Sequence, residues 1–243
     1  MKIIENPSPN YESRPPSVSV NLLLLHYTGM KSVSEAKDRL CDPKSRVSAH
    51  YIIDEVGTIF SLVEENKRAW HAGVASWNDE ADINNISVGV EIANPGHEFG
   101  YSKFPERQMI AVEALCTDII TRHSIIASRV LAHSDVSPSR KSDPGELFDW
   151  ERLAAAGIGI WPKMSPVEVD FEIGSITECQ KQLKKIGYGL KITGVLDGLT
   201  RDTVLAFQRH WLPHRLTGKF DVETVWRVKS VLRALEESRW QTL

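Results

Sequence analysis

Apolar positions along this chain follow one rhythm up to about residue 160 and another beyond it. Residues 19–26, Ser-Val-Asn-Leu-Leu-Leu-Leu-His, are apolar on both faces and too short for a helix, which predicts a buried strand ending in a histidine. Further strands are predicted over 50–54, over 58–63 after a turn at Glu55-Val56-Gly57, over 87–93, and over 128–132 just before a second histidine. Met109, Val112, Cys116, Ile119 and Ile120 keep a spacing of three to four, so 105–123 reads as an amphipathic helix with Pro105 in its first turn. Interleaved strands and helices imply an α/β fold, a mixed central sheet flanked by helices rather than a bundle or a sandwich.

Residues 162–170 lack periodicity and hold two prolines, which marks a linker. Beyond it the pattern turns helical over 175–186, 197–211 and 221–235, a small three-helix domain. The expected division is therefore 1–161, a linker over 162–170, and 171–243. Inside the last part Thr193-Gly194-x-x-Asp197-x-x-Thr200 recurs 24 residues on as Thr217-Gly218-x-x-Asp221-x-x-Thr224. Each Asp can cap a helix N-terminus after a glycine turn, which explains the aspartates but not the whole recurrence.

Composition narrows the class without naming a function. Apolar residues make up 42%, charged residues 25%, and Gly and Pro number 15 and 12, all ordinary for a globular chain of 243 residues. The longest apolar run near the start, Leu22 to Leu25, is far short of the ~20 residues of a membrane span, so no integral membrane segment is expected. Net charge is −3, which draws the chain toward neither nucleic acid nor anionic membrane, but it divides into −6 before Asp170 and +3 from there on. Three scattered cysteines, Cys41, Cys116 and Cys179, suit neither a disulfide framework nor a zinc ribbon and read as buried thiols. The first ten residues carry acidic and proline residues where a secretory signal needs an apolar stretch.

Eight histidines are present, and two stand out by position. His26 ends one apolar strand and His133 follows another; ten residues later Asp143 lies in the loop Ser134 to Gly145. Two imidazoles and one carboxylate, with a fourth place for water, are a catalytic zinc's ligand set, although no compact motif such as H-E-x-x-H is present and spacing alone does not establish the site. In Ser87-Val88-Gly89-Val90-Glu91-Ile92-Ala93 the residues Ser87, Gly89, Glu91 and Ala93 share a face, so Glu91 stands among small neighbours. It is either a carboxylate with room to activate water or a solvated glutamate on an open sheet.

Five segments in order resemble a known family: Leu25-His26-Tyr27-Thr28; Ser48-Ala49-His50-Tyr51-Ile52-Ile53-Asp54; Arg68-Ala69-Trp70-His71-Ala72-Gly73; Ser87 to Glu91; and His133-Ser134-Asp135 through Arg140-Lys141-Ser142-Asp143-Pro144-Gly145. Over about residues 15–160 the chain is similar to the zinc-dependent N-acetylmuramoyl-L-alanine amidases of type 2 (the AmpD/AmiD-like group), which share their fold with peptidoglycan recognition proteins. The resemblance implies that His26, His133 and Asp143 ligate one Zn2+, that Glu91 is the catalytic glutamate, and that Lys141 stabilises the oxyanion. It places Arg140 at a stem-peptide carboxylate and His50, Tyr51, Trp70 and His71 along the cleft, with a structural role open for His50 and His71. Ser139 departs from the glycine of many relatives.

Residues 172–236, with Gln182-Leu183, Gly187-Tyr188 and the two Thr-Gly copies, resemble the type 1 peptidoglycan-binding domain. Together the resemblances imply a zinc hydrolase that cuts the amide between N-acetylmuramic acid and L-alanine, with peptidoglycan or muropeptides as partner, acting as a monomer in cell-wall turnover or recycling. Domain content points to the bacterial envelope, and the lack of a visible signal leaves the cytoplasm open. Two alternatives stand beside it, a peptidoglycan receptor that does not cut and a phage or prophage endolysin with the same chemistry.

Overall fold

The structure, a computed structural model, describes residues 2–163 and 172–240. The chain opens with β1 (Ile3–Glu5), β2 (Tyr11–Ser13) and β3 (Leu22–Tyr27), then α1 (Val33–Cys41), β4 (Tyr51–Ile53), β5 (Ile59–Ser61) and β6 (Lys67–Ala69). There follow α2 (Ile83–Ile86), β7 (Ser87–Ile92), α3 (Gly96–Phe99), α4 (Glu106–His123), β8 (Val130–Ala132), α5 (His133–Val136) and α6 (Trp150–Ala155). The C-terminal part is α7 (Ile176–Ile186), α8 (Gly198–Trp211) and α9 (Val222–Trp240). Each strand and long helix expected from the pattern is present, while β1, β2, β6 and the shorter helices are additions.

Six strands form a mixed sheet in the order β1-β5-β4-β7-β3-β8, and β2 pairs with β6 in a separate ribbon. The four strands β4, β7, β3 and β8 run parallel, while β5 is antiparallel to β4. Alternation divides β3 between two layers: Leu23 and Leu25 pack with Val88, Val90, Val112, Leu115 and Ile119 under α4, and Leu22 and Leu24 face the opposite way. With both sheet faces covered, the leucine run reads as continuous apolar sequence. Helix α4 ends at Ser124, whose positive φ of 52° lets its N–H reach the carbonyls of Ile120 and Thr121.

The second face is covered by α1 at one end and by the C-terminal helices at the other. Leu22, Leu24, Trp77, Ile83, Leu131 and Val136 share one buried cluster with Leu183, Ile186, Tyr188, Phe207, Trp211 and Val231, so sheet and C-terminal helices have a core in common. The expected linker lies, from residue 164 on, outside the described residues. The repeat has a cause that its spacing did not reveal. Gln180 accepts from the N–H groups of Thr193 and Gly194 and donates to the hydroxyls of Thr193 and Thr200; Gln208 does the same with Thr217, Gly218 and Thr224. Each buried glutamine clasps one turn to one helix start, where Asp197 or Asp221 caps the helix. Cys116 and Cys179 are buried, but Cys41 is only half-buried and takes a hydrogen bond from Asn6.

Candidate metal centre and cleft

Parallel register sets His26 of β3 opposite Glu91 of β7, both on the face away from α4. His133 is the first residue of α5, directly after β8, and the Ser134 N–H donates to the Asp143 carbonyl at 3.0 Å, which ties the segments carrying these two side chains together. The result is a convergence of three atoms. His26 Nδ1 lies 2.9 Å from His133 Nδ1 and 3.1 Å from Asp143 Oδ2, and His133 Nδ1 lies 2.9 Å from the same carboxylate oxygen. All three residues are buried.

The hydrogen bonds behind the rings fix which nitrogen faces inward. His133 Nε2 is 3.0 Å from the Ala72 carbonyl, which can only accept, so Nε2 carries the proton and Nδ1 the lone pair. For His26 the chain of reasoning is longer. The Ser87 hydroxyl donates to the Ile83 carbonyl at 2.6 Å and therefore accepts from His71 Nε2 at 3.3 Å. His71 Nδ1 must then accept, and it takes the proton of His26 Nε2 at 3.1 Å, leaving His26 Nδ1 bare. Burial first, and then the neighbouring His133, push His26 down to about 4, so the ring is neutral near pH 7. Burial alone raises Asp143, but its close contacts, with His133 first and then His26, outweigh it and hold the carboxyl well below the ordinary range.

Three lone pairs thus converge at about 3 Å, an arrangement that a cation satisfies. Two imidazole nitrogens, each with its outer partner in place, and one carboxylate oxygen fit a divalent ion with an open fourth position. Gly89 makes room for the relay, because a Cβ there would come within 2.5 Å of the His71 ring. Beside the triad, Glu91 Oε2 is buried with no hydrogen-bond partner among the described residues. Burial, and then the charge of Asp143, push this carboxyl well above the ordinary range, with Lys141 opposing.

Glu91, His133 and Asp143, but not the ring of His26, line a cleft of about 340 Å3. Trp70, His71, Glu91, His133, Arg140, Lys141 and Asp143, all singled out in the sequence, line it. The Arg140 guanidinium lies over Gly73, where a Cβ would meet it at 2.8 Å. His71 acts behind His26, inside the relay. His50 and Tyr51 are corrections. The His50 ring is fully buried, accepts from the Gly89 N–H at 2.9 Å and stands beside the Lys67 carbonyl and Arg14, while the Tyr51 hydroxyl donates to Glu65 at 2.7 Å on the α4 side of the sheet. Residues to which the sequence reading gave no role include Ser87 and the Ala72 carbonyl in the relay, and Tyr27, His97, Ser142 and Arg39 on the cleft wall. Ser87 and Ala72 lay inside segments already singled out, but nothing in their side chains signalled the role.

A family model described as N-acetylmuramoyl-L-alanine amidase matches residues 16–146, more than half of the chain. The chain belongs to this amidase family. It is 32% identical over 226 residues to N-acetylmuramoyl-L-alanine amidase AmiD of Escherichia coli K12, covering 84% of this chain and 79% of that one. The 1,6-anhydro-N-acetylmuramyl-L-alanine amidase AmpD of Haemophilus influenzae is 32% identical over 167 residues, 61% of this chain and 89% of its own. Among solved structures, E. coli AmiD in complex with anhydro-N-acetylmuramic acid-L-Ala-D-γ-Glu-L-Lys superposes with a TM-score of 0.79 at 29% identity, covering 90% of this chain and 92% of that one. AmpDh3 from Pseudomonas aeruginosa with an anhydromuramic pentapeptide gives 0.78 at 28%, covering 95% and 97%. The AmiD and AmpDh3 matches thus extend into the C-terminal helices.

Proposed function

We propose that this family member is a zinc-dependent hydrolase that cleaves the amide between N-acetylmuramic acid and L-alanine of peptidoglycan stem peptides. The observation that carries it is the convergence of His26 Nδ1, His133 Nδ1 and Asp143 Oδ2 beside an unpartnered Glu91 carboxylate oxygen. His26, His133 and Asp143 hold the ion, and zinc, when bound, supplies a Lewis acid that polarises a carbonyl and acidifies water. Glu91 takes a proton from the attacking water at Oε2; as the C–O bond forms and the C–N bond breaks, it returns that proton to the departing L-alanine nitrogen. A carboxyl raised by burial holds a proton more readily than an ordinary glutamate, which suits the return of that proton to the amine nitrogen. The Lys141 ammonium meets the charge that grows on the carbonyl oxygen, an interaction strongest in the transition state.

Arg140 and Trp70 contact the substrate along the cleft wall, Arg140 through a stem-peptide carboxylate. Residues 171–243 serve as the peptidoglycan-binding part, and the active species is a monomer. Among the described residues no helix is long and apolar enough to cross a membrane, and the bacterial envelope is the proposed place of action. A receptor that binds without cutting has no use for an unpartnered carboxylate beside a complete ligand set, which favours the enzyme. Incubation of the zinc-loaded protein with purified sacculi and, separately, with anhydromuropeptides tests this by mass spectrometry. Free peptides beginning at L-alanine, abolished by a chelator, are expected; retention on sacculi without released peptide would refute it.

A further inference from the structure

The C-terminal helices reach the metal centre through one buried carboxylate. Asp135 is fully buried on α5, two residues after His133. Its Oδ2 accepts the Ala132 N–H at 2.8 Å, closing the turn that carries His133 from strand into helix. The other donors come from the far side of the shared core. Tyr188, just beyond α7, donates its hydroxyl to Oδ1 at 2.7 Å, and His210 of α8 donates from Nδ1 to Oδ2 at 2.6 Å. Both donors are themselves buried. The His210 ring has little freedom to leave, being stacked on Trp150 at 3.8 Å and on Trp211 at 3.7 Å.

A second contact braces the other partner of His133. The segment 72–77 supplies the Ala72 carbonyl to His133 Nε2, and the Ser76 N–H donates to the Val136 carbonyl at 2.8 Å. Trp77 at its end packs on Tyr188, and the Asn78 N–H donates to the Gly187 carbonyl at 2.8 Å. Gly187 is held to glycine here, because a Cβ would lie 2.4 Å from the Trp77 ring. The turn that presents His133 Nδ1 and the carbonyl that orients its ring therefore both rest on the C-terminal helices.

We propose that Tyr188 and His210 are positioning residues for the metal centre, acting through Asp135, so that the C-terminal helices are part of the catalytic apparatus. The proposal rests on the reading of His133 as a ligand. A bare anchor tethered to the same catalytic part would need neither a three-donor carboxylate nor a histidine locked between two indoles.

The test uses the full chain with zinc, read by competition with a chromogenic chelator and by the d–d spectrum of the cobalt-substituted protein. Tyr188→Phe keeps the ring and removes one donor; His210→Ala removes the other, and His210→Asn restores a donor near the Nδ1 position. Expected are a ~3-fold weaker zinc affinity for Tyr188→Phe and ~10-fold for His210→Ala, on the lower side of effects seen for outer-shell partners. An altered cobalt spectrum, a lowered kcat with KM nearly unchanged, and recovery in His210→Asn complete the expected pattern. If His210→Ala does not fold, Tyr188→Phe alone decides. Wild-type affinity, spectrum and kcat in folded Tyr188→Phe and His210→Ala, with zinc lost in His133→Ala, would overturn the brace while leaving the metal site standing. Zinc retained at full affinity in His133→Ala would overturn both.

Discussion

Gly89→Ala isolates the relay behind His26, because it adds one methyl group at a residue with no titrating atom. The new Cβ would stand 2.5 Å from His71 Cγ and Nδ1 and 2.7 Å from Cδ2, so the ring must retreat by about 1 Å to reach ordinary contact. Its backbone cannot follow freely, since the N–H groups of His71 and Ala72 both donate to Asn84 Oδ1, at 3.1 and 2.8 Å. On its other sides stand the His26 and His50 rings, at centroid distances of 5.1 and 5.5 Å. A shift of that size stretches the 3.1 Å contact between His26 Nε2 and His71 Nδ1 past hydrogen-bond range. An unsatisfied buried N–H costs about 1–3 kcal/mol. In metal sites, loss of such an outer partner weakens affinity ~10–100-fold. Overpacking of this kind lowers stability by about 1–3 kcal/mol. In a chain of this length each kcal/mol corresponds to roughly 2–4 °C in Tm. Chelator competition gives the first quantity and thermal melting of the metal-free protein the second. His71→Ala is the control: on that background the added methyl meets no ring, so the effect of Gly89→Ala on affinity should vanish in the double variant. Unchanged zinc affinity and Tm in Gly89→Ala, or an effect that persists without the His71 ring, would refute the relay.

Replacing Glu91 with Ala should leave zinc bound and reduce turnover by ~10²–10⁴, the span of general acid–base catalysis, as measured by release of L-alanine-headed peptides. His133→Ala should lose the metal together with the activity, measured by metal content after gel filtration. The third expectation concerns acid. Burial, and then the charge of Arg14, hold His50 down to about 3 in the folded chain, against ~6.5 unfolded. Because the unfolded state binds the proton more readily, the contribution is complete above pH ~6.5 and drains away as pH falls toward 3. Between pH 7 and 5 His50 alone costs about 2 kcal/mol, and a His50→Gln variant should show a correspondingly flatter decline of urea stability over that range. A decline as steep as that of the wild type would remove His50 from the account.

Much of the fold was legible because its elements announce themselves by period. The leucine run of β3, the alternation of β7 and the 3–4 spacing of α4 each carry enough buried side chains to outweigh other readings. What was missed is short or exposed. Strands β1, β2 and β6 have three residues each, two of β1's and all of β2's being exposed, so they exist by pairing with neighbours that no local pattern discloses. The clasp glutamines were hidden for a related reason. Gln180 and Gln208 stand 13 and 9 residues before their threonines, so the clasp is a tertiary match rather than a spaced motif.

The site divides along the same line. His26, Glu91, His133 and Asp143 stood out because strand ends, face alternation and a matching set of motifs pick them out, and the fold brings them together. His50 and Tyr51 were carried into the cleft by motif position alone. In the fold, Tyr51 alternates to the α4 side, pairs with Glu65 and packs against the core there, while His50 shares the face of His26 and Glu91 but lies one histidine too deep. That second position follows from register: His50 precedes Tyr51, which pairs with Val90, so it falls beside Gly89, under His71 and away from Glu91. The small residues between Ser87 and Glu91 therefore have a purpose that their sequence did not state. Ser87 anchors His71, Gly89 admits its ring, and Glu91 is left with an oxygen unpartnered among the described residues, beside His26, His133 and Asp143. One face of one strand thus sets the tautomer of His26 and the position of the Glu91 carboxyl together.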